Sequence, residues 1–129
     1  MDDFGLPPSQ FHLTRSGRER ADELIKAGWF ASQPAAAKFG FAVALRNGFD
    51  LDALPVLDKL GSDHGGGTHS LSAVDPDYEM DRILRTLVPE YATASRKDTY
   101  NLIMKVSDLG LQTLYDSYSS GNKITTFID

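Results

Sequence analysis

The segment 32–48, SQPAAAKFGFAVALRNG, constrains the fold of this chain more than any other stretch. Ser32-Gln33-Pro34 is a helix start. The serine oxygen can accept a first-turn amide, and proline sits where a missing amide costs nothing. Gly48 suits the stop. Between them Ala35, Ala36, Ala37, Phe39, Phe41, Ala42, Val43, Ala44 and Leu45 leave almost no polar face. Such a helix is the centre of a core or of an oligomer interface. Its alanines and Gly40 permit close approach of another backbone. A chain of 129 residues can bury one continuous core but not two, so residues 1–129 are expected to form a single domain.

The flanking sequence supplies further elements. Residues 1–10 contain Pro7-Pro8 and read as an extended arm. Phe11-His12-Leu13-Thr14 alternates apolar and polar side chains, compatible with a brief strand. Ser16-Gly17-Arg18-Glu19 has capping-box spacing, predicting a helix over 17–27 with Ala21, Leu24 and Ile25 inward and Gly28 as terminator. Leu51, Leu54, Val56, Leu57 and Leu60 suggest a short turn or helix interrupted at Pro55. SDHGGGTHS places a Gly-rich loop over 61–75. Asp75-Pro76 signals another helix start, followed by Met80, Ile83, Leu84, Leu87 and Val88 at helical spacing, with Pro89 as the stop. The longest helix is expected over 97–119, carrying Leu102, Ile103, Val106, Leu109, Leu114, Tyr115 and Tyr118. Residues 120–129 form a polar tail in which Ile124, Phe127 and Ile128 can dock back. The expected fold is therefore mainly α, a compact oligomeric domain of four to five helices with a short N-terminal extended segment.

Composition narrows the function classes. Apolar residues are 41% and charged residues 24% of the chain, enough core-forming material to argue against disorder. There is no cysteine, which removes disulfides, cysteine nucleophiles, thiolate metal sites and sulfur carriage as a persulfide. MDDFGLPPSQ is acidic and Pro-rich, unlike a secretory signal. No stretch approaches the ~20 apolar residues of a membrane span. A cytoplasmic location without membrane contact is the expectation. The formal net charge is −5, so nucleic-acid contact requires basic residues gathered on one face or repeated by oligomerisation.

Catalytic constellations are weak. His64-Gly65-Gly66-Gly67 resembles a lipase oxyanion element, but no G-x-S-x-G elbow accompanies it. Asp63, His64 and His69 have metal-ligating chemistry, set in a loop too flexible to be preorganised. Asp50, Asp52 and Asp58 read as caps or solvated surface. His12 has no carboxylate partner nearby in sequence. Asp75, Asp77, Glu79 and Asp81 are accounted for by the helix macrodipole. The expectation is no enzyme, no metal and no cofactor; a small enzyme using the 62–70 loop is the weakest alternative.

The N-terminal third carries the basic groups. Arg15, Arg18, Arg20 and Lys26 fall within twelve residues, and Lys38 and Arg46 follow. The order of short strand, helix, turn and helix is that of ribbon–helix–helix regulators and antitoxins, whose paired strands from two subunits enter the major groove. That reading would present His12 and Thr14 to base edges.

FHLTRSGRERADELIKAGWF…AAAKFGFAVALRNGFD also resembles the N-terminal half of DndE proteins from bacterial DNA phosphorothioation systems. The charged first helix, the apolar second helix ending in a glycine turn, and a C-terminal helical region around NLIMKVSDLGLQTLYDS follow the same plan. The resemblance implies a non-catalytic accessory protein of a DNA-modification and phage-defence system. It implies a homo-oligomer, tetramer or dimer, acting beside other DNA-modification proteins. It further implies contact with duplex or nicked DNA through basic surface residues, for which Arg15, Arg18, Arg20, Lys38 and Arg46 are the candidates in this sequence.

Overall fold

Two helices crossing face to face organise the molecule. The computed structural model describes residues 4–54 and 65–127. Pro55, Val56, Leu57, Asp58, Leu60, Asp63, His64 and Ile128 lie outside the described residues, as do the first three residues of the arm. The elements in chain order are β1 (Gln10–His12), α1 (Arg15–Lys26), α2 (Gln33–Asn47), β2 (Thr68–Ser70), α3 (Leu71–Val74), α4 (Glu79–Leu87) and α5 (Arg96–Ser119). Short 3-10 turns stand at Leu51–Ala53, Pro89–Tyr91 and Ile124–Phe127. The fold is mainly helical, as expected.

The Ala/Phe-rich segment is α2, with the expected bounds. Ser32 accepts from the Ala35 amide at 3.2 Å, and Gly48 ends the helix at φ 79°. α2 lies along α5, burying Ala36, Ala37, Gly40, Phe41, Val43 and Ala44. α5 answers with Ile103, Val106, Leu111 and Leu114, all essentially inaccessible. Each large aliphatic buried here contributes about 1.5–3 kcal/mol by leaving water. The two backbones meet at glycines: a Cβ on Gly40 would stand 3.0 Å from the Ser107 carbonyl oxygen, and one on Gly110 would overlie the Gly40 carbonyl group.

α1 packs against both α2 and α5 through Ala21 and Leu24. Its start differs from the expected capping box. Thr14 is the cap, in extended geometry, and its Oγ1 accepts from the Gly17 amide at 2.9 Å. Glu19 turns instead to Arg15. Thr14 wins because its hydroxyl also donates to Asp108 of α5 at 2.7 Å, tying the helix start to the core. The far end closes as expected: the Gly28 amide donates to Ile25 and the Trp29 amide to Leu24, a Schellman arrangement around Gly28 at φ 84°.

Three segments differ from expectation. The stretch read as a Gly-rich loop over 61–75 is regular from Thr68: β2 pairs antiparallel with β1, Phe11 opposite His69, and α3 follows at once. Gly67 is buried, and its carbonyl accepts from the Leu13 amide at 2.8 Å. A side chain there would strike Gln33, so Gly67 serves close packing, while Gly65 takes a left-handed φ of 80°. The helix expected from Pro76 begins at Glu79, because Tyr78 takes a left-handed conformation at φ 56°. Asp75 still caps it, from five residues away, accepting the Met80 amide at 3.1 Å. Finally, the N-terminal arm is free of helix from Phe4 to Ser9, as expected, but is anchored: the Phe4 carbonyl accepts from the Arg96 amide at 2.9 Å, and residue 10 already belongs to β1. Phe127 of the tail docks back against Trp29.

Candidate functional site

The five basic residues proposed for DNA contact are divided between two places. Arg15 and Arg20 stand on α1. Arg15 is exposed and pairs with Glu19 at 3.2 Å. Arg20 borders a shallow concavity with Ser16, Glu19 and Tyr115. Arg18 is half-buried, and its Nε is enclosed with no hydrogen-bond partner among the described residues. Lys38 and Arg46 belong to α2 and line a different concavity, facing α4. Arg46 also donates from Nη1 to the Phe127 carbonyl at 2.8 Å, holding the tail in place.

The strand residues are engaged inside the chain. β1 is hydrogen-bonded to β2, the His12 ring nitrogen meets Thr68 Oγ1 at 3.2 Å, and Thr14 is committed to capping and to Asp108. His69 lies beside them. Its Nε2 donates to Gln33 Oε1 at 2.9 Å, and Gln33 Nε2 donates to Asp22 at 2.7 Å. This chain links β2 to α2 and α1. Partial burial lowers the His69 pKa, because the charged ring would lose water. Among the described residues no three His, Asp or Glu side chains converge to hold a metal ion. Asp50 caps the turn after α2 by accepting the Asp52 amide at 3.0 Å.

A polar network missed by the sequence reading sits where α4 meets α5. Asp75 and Asp81 are both 1% exposed. The Tyr100 hydroxyl donates to Asp75 at 2.6 Å, and Thr99 Oγ1 donates to Asp81 at 2.5 Å. Arg85 reaches Asp81 from one turn away at 3.0 Å and donates to the Ala94 carbonyl at 2.7 Å. Arg96 approaches the same carboxylate at 4.0 Å. Each guanidinium group lies over an aromatic ring. Arg85 lies 3.6 Å from the Phe4 ring centre and Arg96 4.5 Å from that of Tyr78. Burial pushes the Tyr100 phenol far up, aided by its bond to Asp75 and the charges of Asp75 and Asp81, with Arg96 opposing. Two carboxylates balance two guanidinium groups, so this is a charge-neutral internal clasp. Its signal in the sequence was position: Asp81 shares the inward stripe of α4 with Met80, Leu84 and Val88, where a solvated acid has no place.

The outer face between α2 and α4 has the opposite character. Phe41, Ala42 and Leu45 on one wall and Met80, Ile83 and Leu87 on the other enclose an open groove of about 370 Å³. Ile83 and Leu87 are 37% and 58% exposed, two of the three large apolar side chains that face solvent among the described residues. Lys38 and Glu79 stand on opposite rims. No described helix is long and apolar enough to cross a membrane. Comparison with protein-family models, curated proteins and solved structures finds no match to this chain.

Proposed function

We propose that this chain is a non-catalytic accessory protein of a DNA-modification or phage-defence system, resembling DndE, that self-assembles and contacts duplex or nicked DNA. The observation that carries this reading is where the polar groups go. The buried carboxylates Asp75, Asp81 and Asp108 are all hydrogen-bonded within the fold, as are Tyr100 and His69. Groups of that kind would have to be available for an acid–base reaction; here they hold helices together. What faces outward is the start of α1, where Arg15 and Arg20 stand beside Glu19, and an apolar groove between α2 and α4. The first suits phosphate oxygens, which accept from arginine without regard to base sequence. The second suits a protein surface.

In this reading α1 supplies the DNA contact through Arg15 and Arg20, and assembly multiplies that small positive surface against the chain's negative total. The test is a gel-shift series with nicked and intact duplex at low and high salt, comparing the wild type with Arg15→Glu/Arg20→Glu. The wild type should bind at about 50 mM salt, where phosphate contacts are strongest, and weaken as salt rises. The double variant should lose most of that binding. Retention of equal binding by the variant removes α1 as the DNA surface.

A further inference from the structure

We infer that the α2–α4 groove is the face through which two copies of this chain associate, related by a two-fold axis running along the groove. The inference rests on the self-assembly part of the proposed function and names its surface; it does not depend on DNA binding.

The groove is apolar at its centre and carries opposite charges on its two rims. Leu45 and Leu87 lie at one end, where both also border a second concavity with the residues after α2. Lys38 and Glu79 therefore mark the other end, Lys38 on the α2 wall and Glu79 on the α4 wall. Neither makes an ion pair with another described residue. A two-fold axis along the groove sets the α2 wall of one copy against the α4 wall of the other. Lys38 then faces the Glu79 position of the second copy, and the reverse pair forms at the same time. The same operation brings the exposed Ile83 and Leu87 of each copy onto the Ala42 and Leu45 surface of the other. One patch thus meets itself with Lys38 and Glu79 matched and apolar groups covered, the condition for an isologous dimer; Arg46, which also lines the groove, is held by the Phe127 carbonyl. An unrelated acidic helix would match Lys38 but leave Glu79 facing like charge. The opposed signs select a second copy over such a partner.

The test is size-exclusion chromatography with light scattering over a concentration series, with circular dichroism confirming the helical fold of each variant. The wild type is expected to run as a dimer or a multiple of it. Leu87→Glu should give a monomer; Leu87 is exposed, so the fold tolerates the change. Lys38→Glu and Glu79→Lys alone should each raise the dissociation constant about tenfold or more, by setting like charges against each other. Combined in one chain they restore both pairs, and association should return. A wild type that is monomeric throughout overturns both the assembly reading and this inference. An oligomer indifferent to Leu87→Glu, or a double variant no tighter than the singles, overturns this face alone and leaves self-assembly standing. Loss of DNA binding in the α1 variants with the dimer intact bears on the proposed function and supports the separation of the two surfaces.

Discussion

Gly110→Ala should be among the most damaging single-methyl additions in the molecule. Its added carbon would lie over the Gly40 carbonyl group and 2.7 Å from the Gly40 Cα. Both obstacles are backbone, so no side chain can swing aside. Carbon atoms pack at about 3.5–4.0 Å, so α2 and α5 must part by about 1 Å at the least. A gap of that size forfeits a quarter to a half of each contact's well. A buried aliphatic side chain makes about 50 contacts of ~0.15 kcal/mol each, so it loses roughly 2 kcal/mol. With two large side chains affected on this interface, the loss is about 4 kcal/mol. Alanine returns about 1 kcal/mol through its better helix propensity, leaving a net cost of about 3 kcal/mol. In a domain of this size that lowers Tm by about 10 °C. Gly40→Ala is the internal control. Its methyl would meet Leu111 and Ser107 backbone atoms at 3.0 Å, a crowding relieved by a few tenths of an ångström. It should cost about 1 kcal/mol or less after the same propensity gain. Urea titrations followed by circular dichroism measure both. A Gly110→Ala protein as stable as the wild type, or more stable than Gly40→Ala, would refute the claim that the two helices touch backbone to backbone.

Other consequences follow from the same structure. Asp81→Ala leaves the Arg85 guanidinium buried without its carboxylate and should cost about 3–5 kcal/mol in a urea titration. Thr14→Ala removes both the cap of α1 and the partner of Asp108, costing about 1–2 kcal/mol and raising hydrogen-exchange rates in the first turn of α1. His69 has a folded-state pKa below its ordinary 6.5, so the folded protein binds fewer protons than the unfolded chain between those two values. Its contribution is present above pH 6.5 and is lost as pH falls through the lowered value. The urea midpoint should decline across that window, and His69→Gln should flatten the decline.

The helices were legible where local chemistry decides them. Ser32-Gln33-Pro34 and Gly48 bounded α2 because a cap, an early proline and a left-handed stop act within a few residues. Gly40 announced a close approach, though not that Gly110 would be its counterpart. α5 began within one residue of expectation for the same local reasons, with Ser95 accepting from the Asp98 amide. What was not legible depended on partners far along the chain. β2 looked like loop because it is three polar residues behind a run of glycines, and only pairing with β1 makes it a strand. Thr14 displaced Ser16 as the cap because Asp108, 94 residues away, holds its hydroxyl. Asp75 and Asp81 looked like surface acids at a helix start; only the docking of α5, with Thr99 and Tyr100, shows them as the interior of a clasp. Of the basic residues, charge was readable but grouping was not, since α1 and the outer wall of α2 border different concavities.

The proposed role, holding DNA without chemistry, can be measured by fluorescence anisotropy of a labelled nicked duplex titrated with wild-type protein over a range of salt concentrations. Saturable binding is expected at about 50 mM salt, with a logarithmic affinity that falls linearly with the logarithm of salt, by about 0.9 for each phosphate neutralised. The slope should shrink by one to two units per chain when Arg15 and Arg20 are reversed. An anisotropy that stays flat at about 50 mM salt with the protein in large excess would contradict it.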